Sequence, residues 1–178
     1  KIYTKKGDSG KTALLSERIS KTSLRIKVNG EIDELMVLLA YLIEKVKHND
    51  FCGDIKVIYR NLFIITTMIA DSKKEYNISL DEIVIQKLEK NIDELEKKVP
   101  PLKNFIFYTG TKTSILCQEV RGKVRSVERS AVFLYETEEI DNNILIYLNR
   151  LFLPHNPPLY LLGRYINKAE GYEEEILK

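Results

Sequence analysis

Two arginines and a glutamate share one face of a helix predicted over residues 113–136. Arg121, Arg125 and Glu128 are spaced i, i+4 and i+7, which places them on one side of the helix. Two aligned guanidinium groups suit a polyphosphate, because each can form forked, charge-assisted hydrogen bonds. Glu128 could anchor Arg125, bind a metal ion or bond a ribose hydroxyl. The alternative is a solvated helix face with an ordinary Arg–Glu pair, worth less than about 1 kcal/mol.

The N-terminal segment has the composition of a phosphate-binding loop. It combines glycines, which let backbone amides approach a phosphate closely, with lysines and hydroxyl groups that add charge and donors. Its glycine, hydroxyl and charged residues include Thr4, Lys5, Gly7, Asp8, Ser9, Lys11 and Thr12. The segment is not a Walker A motif, because the glycine–lysine spacing differs and no strand is predicted before it. A polar surface arm is the competing interpretation.

Two further polar residues lie within predicted helices. Asp33 falls in the first turn of a helix, where an acidic residue favours the helix dipole, although it could instead pair with an arginine across an interface. Asn149 has a poor helix propensity, which indicates either a specific bonding role or an exposed polar position. His48 and His155 have no carboxylate or cysteine partner nearby in the sequence. We therefore predict no catalytic triad and no metal site built by the protein itself.

Composition predicts one folded domain without a strong charge. The chain has 178 residues, 44% of them hydrophobic and 30% charged, which is enough to bury a core. A net charge of only +2 argues against nucleic acid as a partner. No apolar run approaches the roughly 20 residues that span a bilayer, so no membrane association is expected. Two cysteines without a CxxC motif argue against zinc and suit a reduced, cytoplasmic protein.

The hydrophobic pattern predicts an all-α fold, a five-helix antiparallel bundle of the ferritin-like up-and-down type. Residues 1–27 are predicted to form an ordered loop, and residues 28–178 the bundle. Asn29-Gly30 would end the loop and cap the first helix. The second helix has many β-branched residues, so a strand competes there, but its apolar run is too long for a strand. Ser79 or Asp81 would cap the third helix, and Pro100-Pro101 would stop it.

The fourth helix is the one that carries the two arginines. The fifth opens near Asp141, is interrupted by Pro154, Pro157 and Pro158, and resumes from residue 159 to about residue 169.

Several short motifs, taken in order, resemble the PduO-type ATP:cob(I)alamin adenosyltransferase family. Residues 3–12 are similar to its YTKxGDxGxT segment, and residues 29–35 to its YGxVDEL segment. Phe105-Ile106 falls where the family has FILPGG, and residues 121–129 are similar to R-x-x-x-R-R-A-E-R. Residues 147–151 are similar to F-L-N-R-L, and Arg164-Tyr165 to the ending A-R-Y. The resemblance spans nearly the whole chain.

This resemblance implies an enzyme that is a homotrimer with its active sites between subunits. It would bind MgATP, transfer the 5′-deoxyadenosyl group to cob(I)alamin, and release triphosphate, with an adenosylcobalamin-dependent enzyme as a possible recipient. The N-terminal residues named above would hold phosphates, and Arg121, Arg125, Glu128 and Asn149 would complete the ATP site. Asp33 would pair with Arg121 of a neighbouring subunit, and Phe105 would lie under the corrin.

The sequence departs from the family motifs at three places. FILPGG reads Phe105-Ile106-Phe107-Tyr108-Thr109-Gly110, which lacks the proline and one glycine. Gln118 stands where a histidine is common, and Ser126 replaces an arginine. After Leu151 the family has Ser-Asp, whereas residues 152–158 contain an apparent insertion and no aspartate. These departures leave a non-catalytic ATP- or corrinoid-binding module, such as a carrier or sensor, as the alternative function. A helical interaction protein without a ligand is a third possibility.

Overall fold

A computed structural model describes residues 3, 5–152 and 158–177, and these residues are mostly helical. The elements in chain order are β1 (Lys11–Ala13), β2 (Arg18–Ser20), α1 (Leu24–Lys45), α2 (Cys52–Ala70), α3 (Glu82–Glu96), α4 (Lys112–Thr137), α5 (Asn142–Leu151) and α6 (Pro158–Ala169). The described residues thus form six helices and a two-stranded sheet. The predicted helical class is confirmed, and the segment predicted as one interrupted fifth helix forms the two helices α5 and α6.

The start of α1 differs from the sequence prediction. We expected Asn29-Gly30 to cap this helix, but α1 begins at Leu24 and runs through both residues. The apolar spacing explains the extension, since Val28 and Ile32 are buried and Leu24 packs partly against the same core. The Asn29 side chain donates to the Thr66 carbonyl of α2 over 3.2 Å, so it ties two helices together instead of capping one.

A β-hairpin lies within the segment predicted as a loop. Strands β1 and β2 pair antiparallel, with Thr12 opposite Ile19. The Leu14 amide donates to the Glu17 carbonyl at the turn, over 2.8 Å. Both paired residues are β-branched and favour a strand, but three residues are too few for a recognisable period in the sequence.

Short side-chain caps start the later helices. Asp81, one of the two predicted caps of α3, accepts a hydrogen bond from the Ile83 amide over 2.9 Å. Asp141 caps α5 in the same way through the Asn143 amide, over 2.8 Å. Helix α3 ends at Glu96, before the prolines that were predicted to stop it. Each cap satisfies a helix donor that would otherwise lack a partner.

Helix α4 is the most widely shared element of the core. It packs against α1, α5 and α6, while α2 packs on α1, and α3 packs on α5 and α6. Helices α1 and α4 run antiparallel, because Arg25 at the start of α1 meets Glu138 at the end of α4, and Glu34 pairs with Lys123 farther along. No helix in the described ranges has both the length and the hydrophobicity to cross a membrane.

A buried arginine joins three of these helices at one end of the bundle. Arg25 is only 6% exposed. Its Nη1 donates to the Ile69 carbonyl at the end of α2 over 2.8 Å, and its Nε donates to Glu138 over 2.5 Å. The guanidinium thus satisfies a helix-end carbonyl and a carboxylate that packing partly hides from water.

Replacing Arg25 with alanine should lower the free energy of unfolding by about 2–4 kcal/mol, because the carbonyl and carboxylate would lose their donor. Urea unfolding followed by circular dichroism would measure the change. Lys27→Ala, at an exposed position of the same helix, is the matched control and should change little. Equal stability of both variants would contradict a linking role for Arg25.

Candidate functional site

The side chains predicted to bind a polyphosphate line one cleft of about 700 Å³ between α4, the end of α5 and the loop before α4. Arg121, Arg125 and Glu128 come from α4, and Asn149 comes from α5. The cleft is also lined by Tyr108, Arg129, Val132, Phe133, Glu136 and Phe152. The structure therefore brings together four predicted residues that come from two separate motifs.

The packing of α4 determines which way its charged residues face. Val120, Val124 and Val127 are at most 1% exposed and form the stripe that faces the core. Arg121 and Arg125 each follow one of these valines by one residue, which turns them about 100° away from the stripe. The apolar face thus fixes the side of the helix on which the two guanidinium groups lie.

Glu128 and Asn149 bind each other rather than the arginines. The Asn149 amide donates to Glu128 Oε1 over 2.9 Å, and its carbonyl oxygen accepts from Arg150 over 3.1 Å. Arg150 in turn pairs with Glu89 over 2.5 Å. This chain of bonds joins α4, α5 and α3, and it holds one carboxylate at the edge of the cleft.

The two arginines have aromatic neighbours. The Arg121 guanidinium carbon lies 4.9 Å from the centre of the Tyr108 ring and 5.7 Å from that of Phe152. Arg125 lies 5.0 Å from the Phe152 ring. Arg121 also donates to Gln118 Oε1 over 3.0 Å. Within the described part of the chain neither arginine forms an ion pair with a carboxylate, so both retain positive charge for an anionic ligand.

The loop that carries Tyr108 is fastened by a buried asparagine. The Asn167 side chain of α6 accepts from the Thr111 amide and donates to the Thr109 carbonyl, each over 3.1 Å. Between them Gly110 has a φ of 138°, and an added Cβ would lie 2.2 Å from Asn167 Oδ1. The one glycine that this loop keeps is therefore required by its backbone angle and by the close contact.

Phe105 lies at the start of the same loop and is 83% exposed. Its carbonyl accepts from the Leu177 amide over 2.8 Å, and the Phe107 amide donates to the Glu175 carbonyl over 2.9 Å. The C-terminal segment thus pairs with the loop through main-chain bonds. An exposed ring on a fastened backbone is available to a large apolar surface.

The buried Tyr160 lies behind this loop. Burial raises the pKa of Tyr160, and the nearby Arg164 guanidinium opposes part of that rise. The Tyr160 ring meets the Tyr108 ring edge-on, with 6.3 Å between their centres. Tyr160 thus packs behind the Tyr108 wall of the cleft and stays uncharged near neutral pH.

Turns of the main chain hold the described residues of the N-terminal loop. The Gly10 amide donates to the Gly7 carbonyl over 3.2 Å, and the Lys21 amide to the Gly10 carbonyl over 2.9 Å. Arg18 donates to the carbonyl of Lys6 and, over 3.4 Å, to that of Lys11. Of the candidate residues, Lys5, Asp8, Ser9 and Lys11 are exposed, Gly7 and Thr12 are half-buried, and Thr4 lies outside the described residues.

Within one chain the loop and the cleft are separated. The hairpin bonds to the end of α2 through Leu15 and Ala70, at the same end of the bundle as Glu138. Arg125 lies about 20 Å along α4 from Glu138, at about 1.5 Å per residue. No hydrogen bond or ion pair joins described loop residues 5–12 to the cleft arginines. The structure therefore does not bring these two predicted parts together in a single chain.

Asp33 is also separated from Arg121 within the chain. It is exposed on α1, next to Glu34, which pairs with Lys123 of α4. Arg121 is two residues before Lys123, which turns it about 200° around α4 and away from α1. A contact between Asp33 and Arg121 would therefore need a second copy of the chain.

Sequence reasoning missed several residues of the cleft. Gln118 lies one turn before Arg121, so its i, i+3 spacing was a usable signal for the bond between them. Tyr108 and Phe152 had no such signal, since they lie far from the arginines along the chain or in another helix. They were noticed only as departures from the family motifs.

Comparisons with known proteins agree with the predicted chemistry. Residues 2–152 match the family model described as cobalamin adenosyltransferase. The chain is 36% identical over 175 residues to the corrinoid adenosyltransferase of Bacillus subtilis (strain 168), with 96% of this chain and 89% of that protein covered. It is 32% identical over 187 residues to the corrinoid adenosyltransferase MMAB of Bos taurus, with 100% and 76% covered.

Solved structures agree as well. A variant of the PduO-type ATP:corrinoid adenosyltransferase from Lactobacillus reuteri, complexed with cobalamin and ATP, superposes with a TM-score of 0.90 and 27% identity. The alignment covers 100% of this chain and 99% of that one. A second variant of the same enzyme, complexed with ATP, gives a TM-score of 0.88 and 26% identity, with 99% of each chain covered.

Replacing Gly110 with alanine should lower the free energy of unfolding by about 2–4 kcal/mol, because the new Cβ would be strained at positive φ and would displace Asn167. Thermal unfolding would measure the loss. Gly53→Ala is the matched control, since nothing lies within 4 Å of a Cβ at that position. A Gly110→Ala protein as stable as this control would show that Asn167 does not fix the loop.

Proposed function

The chain belongs to the cobalamin adenosyltransferase family, and from this premise we propose that it transfers the 5′-deoxyadenosyl group of ATP to cob(I)alamin, giving adenosylcobalamin and triphosphate. The family membership confirms the resemblance noted in the motifs. The observation that carries the proposal for this chain is the pair of guanidinium groups, Arg121 and Arg125, exposed to one cleft without carboxylate partners among the described residues.

The reaction needs no nucleophile from the protein. The Co(I) of the corrinoid substrate attacks C5′ of the ribose, the bond between C5′ and the triphosphate oxygen breaks, and triphosphate leaves with that electron pair. The tasks of the protein are to align the two substrates and to stabilise the growing negative charge on the leaving group. Among the residues that the structure describes, the cleft lining has arginines and no Ser, Cys or His nucleophile, which fits those tasks.

We assign the ATP site to residues from two parts of the fold. Arg121 and Arg125 would bind the triphosphate, with Glu128 and Asn149 as hydrogen-bonding partners of the nucleotide. The N-terminal loop, with Thr4, Lys5, Gly7, Asp8, Ser9, Lys11 and Thr12, would hold phosphates. The exposed Lys5 and Lys11 and the positive φ of Gly10 support this assignment, because they add positive charge and a backbone conformation that occurs in anion-binding turns.

Mg²⁺ would enter with the nucleotide. No group of three His, Cys, Asp or Glu side chains in the described residues could hold a metal ion. This fits Mg²⁺, which usually keeps several waters and binds through one or two carboxylates together with substrate phosphates. Glu128 is a carboxylate of that kind, since it lines the cleft and its only described hydrogen bond is to the Asn149 amide.

We propose a homotrimer in which each site is shared between neighbouring subunits. Two separations support it. The hairpin that follows the N-terminal loop lies at the Glu138 end of the bundle, about 20 Å along α4 from Arg125. Arg121 is turned away from α1, which carries Asp33. A neighbour would bring its own copies of these groups to the cleft. The exposed Val37 and Tyr41 follow Asp33 at i+4 and i+8 on α1, which provides an apolar stripe for such an interface.

Phe105 would contact the corrin and help to displace the lower axial ligand from cobalt. Its exposure and fastened backbone support that role. Both cysteines are buried and unpaired, which suits a reducing cytoplasm. The product would pass to an adenosylcobalamin-dependent enzyme.

Replacing Arg125 with alanine should reduce kcat/KM for adenosylation by about 10²–10³-fold, because one donor to the leaving triphosphate is lost. Arg125→Lys should have a kcat/KM between those of the native protein and the alanine variant, since lysine keeps the charge but lacks the forked pair of N–H donors. The assay is anaerobic formation of adenosylcobalamin from reduced cobalamin and MgATP, followed by the visible spectrum. Arg60→Ala, an exposed arginine of α2, is the matched control.

Two outcomes would count against this function. Unchanged turnover in Arg125→Ala would show that Arg125 does not act in the site. MgATP binding without any product, beside an active family member as a positive control, would favour the alternative of a non-catalytic carrier or sensor.

Co-expressing Asp33→Arg chains with Arg121→Ala chains should restore activity that neither variant has alone. If each site takes Asp33 from one subunit and Arg121 from its neighbour, random mixing leaves about a quarter of the sites with both native residues. The measurement is specific activity of the mixed protein at equal expression of the two chains. No recovery, in a mixture shown by native mass spectrometry to contain both chains, would place the site within one subunit.

A further inference from the structure

Two residues that depart from the family motifs, Tyr108 and Phe152, lie beside the same arginine, Arg121. Tyr108 stands where the FILPGG segment has its proline, and Phe152 stands where a serine usually follows the N-R-L motif. They are 44 positions apart, yet both rings line the cleft beside Arg121. Each departure taken alone suggests a degraded site, whereas together they place two rings beside one arginine.

The geometry is that of guanidinium groups on aromatic faces. The Arg121 guanidinium lies over two rings, 4.9 Å from the centre of Tyr108 and 5.7 Å from that of Phe152. Phe152 is shared, because Arg125 lies 5.0 Å from the same ring. All three distances fall within the roughly 6 Å over which a cation is attracted to a ring face.

The two rings are anchored by different elements. Phe152 ends α5, and its amide donates to the Asn149 carbonyl over 3.0 Å. Tyr108 belongs to the loop that Asn167 fastens, and its ring packs edge-on against Tyr160. The Arg121 guanidinium is thus held by independent parts of the backbone, with Gln118 as a third contact.

A ring face and a carboxylate hold an arginine with different consequences. A carboxylate neutralises the charge and occupies the forked donors that a phosphate needs. A ring restrains the guanidinium plane but leaves the charge and the in-plane N–H groups free. An arginine held in advance loses less conformational freedom when the ligand binds, which raises affinity.

We propose that Tyr108 and Phe152 form an aromatic clamp that positions Arg121 and Arg125 for the triphosphate of ATP. This inference rests on the proposed function for its ligand. The clamp residues are positioning residues, since they act through the arginines. Because a ring cannot be replaced by an aliphatic side chain in this role, the clamp predicts which substitutions preserve binding.

Phe152→Leu should weaken binding of ATP, and of inorganic triphosphate, by about 3- to 30-fold, the range that cation–π contacts cover. Phe152→Tyr and Phe152→Trp should keep binding within about threefold, because they keep a ring face. Dissociation constants from titration calorimetry at fixed ionic strength measure both ligands. Tyr76→Leu, at an exposed position between α2 and α3, is the matched control.

A double-mutant cycle separates positioning from folding. If Phe152 acts through the arginines, Phe152→Leu should have a smaller effect on triphosphate binding when Arg121 and Arg125 are both glutamine. An equal effect in both backgrounds, or a Leu variant that binds as tightly as the Tyr variant, would overturn the clamp. Thermal unfolding of each variant identifies any misfolded protein. If Phe152→Leu is misfolded, Phe152→Tyr is compared with the native protein instead.

The triphosphate titration also distinguishes the two proposals. One outcome is that the protein makes no adenosylcobalamin while Phe152→Leu still weakens triphosphate binding more than Phe152→Tyr and Phe152→Trp do. That result would support the clamp and contradict the proposed adenosyl transfer. If turnover occurs and all the position-152 variants bind triphosphate equally well, the adenosyl transfer is supported and the clamp is contradicted.

Discussion

The packing of α4 is the constraint on which the site depends. Three helices pack against it and bury its valine stripe, so its charged side chains lie on the remaining faces of the helix. Arg121 and Arg125 could not turn toward the core without burying unpaired charge, which costs several kcal/mol. Burial of the valine stripe therefore determines the direction in which the two arginines point, although no valine of the stripe need contact a ligand.

The same packing separates the N-terminal loop from the cleft within one chain. Helices α1 and α4 run antiparallel, so the N-terminal loop enters at the end of the bundle where α4 finishes. The arginines lie midway along α4, and α1 bonds to it through Glu34 and Lys123 on another side. The proposed association of copies would bring the two parts together and keep the contacts of Arg25 and the hairpin.

The sequence was a good guide where the information is local. Helical spacing found the main body of each helix and placed Arg121, Arg125 and Glu128 on one face, because residues on a single helix have a fixed geometry. It failed at the start of α1, where Asn29-Gly30 looks like a cap but the burial of Val28 and Ile32 extends the helix. It also missed the short hairpin. Tyr108 and Phe152 could not have been placed beside the arginines, since that contact exists only after α4, α5 and the preceding loop have packed.

The pairing of residues 105–107 with the C-terminal segment has an evolutionary consequence. These bonds run from main chain to main chain, through the Phe105 carbonyl and the Phe107 amide, and any residue except proline can make the second of them. Asn167 holds the next residues through its side chain, at the Thr109 carbonyl and the Thr111 amide. Apart from Gly110, the course of the loop is thus largely insensitive to its own side chains. Such a loop can exchange a proline for a tyrosine and still present its first ring in the same place, which gives selection freedom to change the wall of a pocket without rebuilding it.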